Sequence, residues 1–107
     1  MNHGNNMKII TPISMWSNGV SEQAKILSLQ CTNDNLFNSA NFSYTLFSLE
    51  ESSGLIGKSL SNGNLTMTGS AYENWVTNDE AYVWAAEALN LTITGNYQYP
   101  TPVQPQP

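Results

Sequence analysis

Residues 63–94 constrain the fold more than any other stretch, because independent local signals follow one another there without conflict. Leu65 and Met67 alternate with Asn64, Thr66 and Thr68, the period of a strand with one buried face. Gly69 breaks the alternation. Ser70 then stands three residues before Glu73, the spacing of a capping box that satisfies two orphan amides at a helix start. Thr77 and Glu80 repeat that spacing, and Asp79 and Glu80 suit the positive N-terminal end of a helix. The pattern predicts a short helical turn near 70–76 and a longer helix near 79–89. On the longer helix Ala81, Trp84, Ala85 and Ala88 fall on one face at intervals of three and four, and small alanines let a helix lie close to a sheet. Asn90 is a C-terminal stop. Leu91 and Ile93 alternate with Thr92 and Thr94 as a further strand.

The rest of the chain supplies partners for these elements. Lys8 to Met15 is apolar but contains Pro12, which demotes it to an edge or irregular strand. Ser17-Asn18-Gly19 is a turn signal. Ala24 to Thr32 reads as a strand with Leu27, Leu29 and Cys31 toward the core, Cys31 packing as a small apolar residue. Thr32-Asn33-Asp34-Asn35 is rich in turn formers. In the strand from Asn41 to Glu50, Phe42, Tyr44 and Leu46 share a face, and Phe47 and Leu49 then take the other. A bulge or twist near Leu46 accounts for the switch; so does a strand covered on both faces, the second by another subunit. Glu51 to Asn62 reads as a Ser/Gly loop. The expected fold is α+β: a small antiparallel β-sheet packed by one or two short helices, with extended terminal arms. Residues 1–7 form an N-terminal arm, 8–96 a single domain and 97–107 a proline-rich tail, too extended to pack a core of its own.

Composition narrows the function classes. Three lysines, no arginine and a net charge of −5 leave no basic stripe for nucleic acid. No apolar run is long enough to span a membrane, and the N-terminus lacks the order of a signal peptide. His3 and Cys31 are the only residues of their types, too few for a structural zinc site; no cofactor is expected. Ser52 to Ser59 resembles a phosphate-binding loop, but serine stands where its first glycine belongs and no helix can open after Lys58. Glu50 and Glu51 are adjacent, so a strand would point them to opposite faces. No catalytic pair emerges, and an enzyme is the weakest reading. Charged residues make up 10% of the chain, well below the usual quarter, which suits a surface covered by neighbours; the alternative cause is an Asn-rich composition inherited from an AT-rich genome. Docking elements are expected in the tail at Tyr97, Tyr99, Pro100, Pro102, Val103 and Pro105. Trp16, beside a turn, is the candidate for an exposed aromatic; Tyr72, Trp75, Tyr82 and Trp84 read as core.

The run Asn64-Leu-Thr-Met-Thr-Gly69-Ser-Ala-Tyr72-Glu-Asn-Trp75, followed by an Asp-Glu-Ala-Tyr helix and a Leu-Thr-Ile strand, resembles small virion proteins of tailed bacteriophages. The preceding Phe42-Ser-Tyr44-Thr-Leu46 strand resembles the strand before that motif. The resemblance covers roughly residues 18–94 and leaves out the arm and the tail. It implies a structural or assembly role in a bacteriophage virion, whether head decoration, neck or tail and fibre, with other copies of the chain and other virion proteins as partners. It transfers no functional residues. The alternative is a glycan- or receptor-binding module with an exposed aromatic platform at Trp16.

Overall fold

The computed structural model describes residues 7–17 and 19–98, apart from the Ser17 side chain. Five antiparallel strands and two short helices follow in the order β1 (Lys8–Ser17), β2 (Val20–Asp34), β3 (Ser39–Leu49), β4 (Ile56–Thr68), α1 (Gly69–Glu73), α2 (Asn78–Leu89) and β5 (Ile93–Asn96). The strands form one sheet in the order β4-β3-β2-β1-β5. The first four are a meander; β5 returns after the helices to pair with β1. The fold is therefore the expected α+β sheet with two short helices on it.

The helices cover one face. Paired residues on neighbouring strands share a face, so Leu27 with Leu46, Leu29 with Tyr44 and Phe42 with Leu65 lie on the same side. Ile10, Leu27, Leu29, Phe42, Leu46 and Met67 are buried there against Ala81, Tyr82 and Ala85 of α2. Trp75 and Trp84 are half-buried and lie over Phe42, with ring centroids 5.2 and 5.5 Å from it. The opposite face divides in two. Ile26 is fully buried there, paired with Ile9 and Phe47. Further along, Gln30, Thr32, Asn41, Asn62, Asn64 and Thr66 make an exposed, uncharged surface.

Pro12 sits at a break in register: Ile9 pairs with Ile26 but Ile13 with Ala24, leaving two extra residues in β1. The missing proline amide is thus kept out of the β1–β2 ladder. The irregularity near Leu46 lies in the partner strand. Leu46 pairs with Ser61 and Phe47 with Ser59, so the extra residue belongs to β4. Strand β3 runs without a break against β2 in this region and changes face by simple alternation.

Several expectations fail for physical reasons. Residues 56–62, expected in a loop, are strand, held by pairing with β3 although their own sequence lacks apolar alternation. Gly63 fits this pairing because the Tyr44 side chain lies over it; a Cβ would fall 2.7 Å from its hydroxyl and 2.8–2.9 Å from ring carbons. The Ser70–Glu73 box does not form: Gly69, at φ +64°, turns the chain directly into a single helical turn, and no side chain caps it. The Thr77–Glu80 box does form. On α2 the buried stripe is Ala81, Tyr82, Ala85 and Ala86, with Ala88 exposed and Trp84 half-buried. The helix is rotated toward Tyr82, whose hydroxyl accepts the Leu29 amide at 2.9 Å. Among the described residues β1 reaches β2 only as far as Leu27, so no described strand partners that amide there. Cys31 is exposed, and among the described residues β1 stops at Leu27, short of that end of β2.

Asn90 ends α2 as expected, at φ 60°, and Leu91 donates back to the Ala86 carbonyl at 2.8 Å, a Schellman-type closure. Lys8 is 6% exposed. Its ammonium donates to Asp79 at 2.6 Å and to Asn96, and lies 5.6 Å from the centre of the Tyr82 ring. One side chain thereby joins β1, β5 and the start of α2. Hydrogen bonding continues past β5, since the Tyr97 amide donates to the Met7 carbonyl at 2.9 Å.

Candidate functional site

The most distinctive surface feature is the β2–β3 hairpin tip. Leu36 and Phe37 are 85% and 81% exposed there. Exposed apolar side chains on a floppy loop mean little, but this loop is built. The Asn35 side-chain oxygen accepts the amides of Phe37, Asn38 and Ser39 at 2.9–3.0 Å. Asp34 accepts the Leu36 amide at 2.8 Å. The Asn35 side-chain nitrogen donates to Asn38 and Ser39. These Asx bonds replace a backbone turn and hold Leu36 at φ 60°, a left-handed conformation that costs leucine about 1–2 kcal/mol. The sequence reading placed turn formers here and missed the pair of bare hydrophobics they present; the Asp-Asn-Leu-Phe-Asn order was the available signal.

Asp34 also links this tip to the helical layer. It accepts the Tyr72 hydroxyl at 2.7 Å, and that bond, ahead of burial, holds the Tyr72 phenol above its ordinary pKa. Beside it lies an open hollow of about 330 Å³ lined by Asp34, Tyr72, Trp75 and Val76. Val76 is 82% exposed. A second groove of about 260 Å³ runs between Trp75 and Trp84, floored by Met67 and Ala71 and rimmed by Glu80 and Glu87.

Trp16 is 77% exposed at the end of β1, with Val20, 56% exposed, near it across the β1–β2 turn. Gly19 makes that turn at φ +81°. Tyr97 is half-buried and returns to its own domain: besides its amide bond to Met7, its hydroxyl donates to the Gly54 carbonyl at 2.7 Å. The other expected docking residues, Tyr99, Pro100, Pro102, Val103 and Pro105, lie outside the described residues, as does His3.

A third hollow, about 600 Å³, is lined by Glu22, Lys25, Glu50, Glu51 and Lys58 among others. Its lysines are both paired, Lys25 with Glu51 and Lys58 with Glu22. The Lys25 hydrogen bond holds the Glu51 carboxyl below its usual pKa. Lys58 stands within β4, which runs on to Thr68 before any helix begins, so its backbone has no phosphate-cradling geometry. Among the described residues no three His, Cys, Asp or Glu side chains gather as metal ligands. No helix there is long and apolar enough to cross a membrane. Partial desolvation at the surface, and the nearby Asp34 charge, raise the Cys31 thiol pKa, the opposite of an activated nucleophile. No protein-family model matches the sequence, and no curated protein or solved structure matches it either.

Proposed function

We propose that the protein is a structural component of a bacteriophage virion, a head-decoration, neck or tail- and fibre-associated protein. It acts through contacts with other copies of itself and with other virion proteins, and performs no catalysis. The observation that carries this reading is the braced Leu36–Phe37 tip. Two large apolar side chains are held out in a fixed, strained loop, and such pre-organised anchors suit insertion into a partner's pocket. The low charge of the chain and its sequence resemblance to small virion proteins support the same reading. The test is particle occupancy. The protein is expected in purified particles at a fixed copy number, and Leu36→Ser/Phe37→Ser is expected to remove it from them while the free protein stays folded. Absence of the wild-type protein from particles overturns the reading.

Trp16 favours a second reading, a glycan- or receptor-binding module, because it is the most exposed tryptophan and stands at a hairpin end. Saturable binding to host glycans that Trp16→Ala abolishes, with occupancy unaffected by the tip variant, would establish it instead.

A further inference from the structure

The two edges of the sheet are treated differently. An open edge presents unpaired amides and carbonyls, and proteins blunt it by brevity, charge, proline or bulges. Strand β5 is short, at 4 residues. The first half of β4 carries Lys58 and both register shifts against β3. From Ser61 to Thr68 none of these devices is present. Pairing with β3 is uninterrupted from Leu46↔Ser61 to Ser39↔Thr68, and among the described residues β4 has no strand on its outer side. The stretch from Ser59 to Tyr72 contains no charged residue.

We propose that this edge, Ser61–Thr68, pairs antiparallel with the same edge of a second copy of the chain, about a two-fold axis at Leu65. Across a two-fold axis the residues on the axis meet their own copies, and in a chain of net charge −5 this uncharged edge brings no like charges together. The register supplies the rest. Centred on Leu65, the pairing sets Asn64 opposite the partner's Thr66, Asn62 opposite the partner's Thr68 and Gly63 opposite the partner's Met67. An Asn–Thr pair of this kind already exists inside the sheet: Thr66 donates to the side chain of Asn41, its cross-strand partner, at 2.8 Å. Asn62, Asn64, Thr66 and Thr68 are exposed and Leu65 is half-buried, so the copy covers what the monomer leaves open. A foreign strand would satisfy the amides, whereas a second copy of this edge also brings Asn and Thr side chains into the cross-strand pairing already seen between Thr66 and Asn41. The inference does not depend on where the protein acts.

The full-length protein is expected to sediment as a dimer. Asn62→Lys/Asn64→Lys, which puts charge on the edge, is expected to sediment as a monomer with an unchanged far-UV circular dichroism spectrum. A wild-type monomer at every soluble concentration, or a dimer that survives both lysines, overturns the proposal. A cross-link fixes the register and decides alone if the double-lysine chain fails to fold. Opposed Cα atoms in an antiparallel pair lie about 4.5–5.5 Å apart, within the roughly 4.4–6.8 Å that a disulfide spans. In a Cys31→Ser background, Leu65→Cys is expected to oxidise to a covalent dimer and Ser59→Cys to remain monomeric. Cross-linking at neither position, or equally at both, overturns it.

Discussion

The Tyr82 hydroxyl accepts the Leu29 amide beyond the last described pair of β1 and β2. Tyr82→Phe keeps the packing and strands that amide, and leaving a buried donor unpaired costs about 1–3 kcal/mol; the loss reads directly in chemical denaturation. Burial also raises the Tyr82 phenol above its ordinary pKa near 10. A raised folded value favours the neutral phenol, so this contribution is complete below the unfolded value and is lost as pH rises through the folded one. Stability of the wild type should therefore fall in alkali more steeply than that of Tyr82→Phe. Leu36 offers the converse case. Its side chain is exposed and its backbone left-handed, a conformation asparagine tolerates. Leu36→Asn should raise the melting temperature and lower particle occupancy; a rise in both would sever the link between the strained tip and docking. Neither residue was legible as special in the sequence. Tyr82 read as one core aromatic among several, and only the rotation of α2 selects it over Ala88.

Among the elements, the caps separate what local sequence can say from what it cannot. Two Ser/Thr-x-x-Glu pairs stand within a dozen residues, and only Thr77–Glu80 closes. The Glu80 carboxylate accepts the Val76 and Thr77 amides at 2.7 and 2.9 Å, and these backbone bonds hold its pKa below the usual range. That depressed value contributes stability above the unfolded pKa, lost as pH falls through the folded one. Thr77→Ala should cost about 1 kcal/mol and Ser70→Ala close to nothing, a contrast that thermal melts of the two variants would expose. The strands with strong alternation, 24–32, 41–50 and 64–68, were legible because one face is buried. Residues 56–62 were not, because Ser and Gly there owe their extended form to β3 and to the Tyr44 ring over Gly63. The buried role of Lys8 was equally hidden: its partners Asp79 and Asn96 lie 71 and 88 positions away.

At the scale of the whole molecule, the two ends of the domain meet. Tyr97 binds Met7 through its amide and Gly54 through its hydroxyl, so a chain ending at Asn96 should melt at a lower temperature than one ending at Gln98. Equal melting temperatures would show that the Tyr97 clasp adds nothing. The sequence revealed the layers of this fold, since each helix and most strands announce themselves, but placed the tail boundary at Tyr97 because tyrosine beside prolines looks like tail. The return of β5 to β1 also bears on how the protein is made. A ribosome releases Lys8 88 positions before the Asn96 that completes its surroundings. At typical synthesis rates that interval is roughly 5–20 s, during which the outer side of the first strand is open to any other nascent chain. Pro12 and the lysine ammonium both lie along that strand, and each discourages foreign pairing. The same two residues that make β1 irregular in the finished protein thus guard it through the seconds before its last neighbour exists.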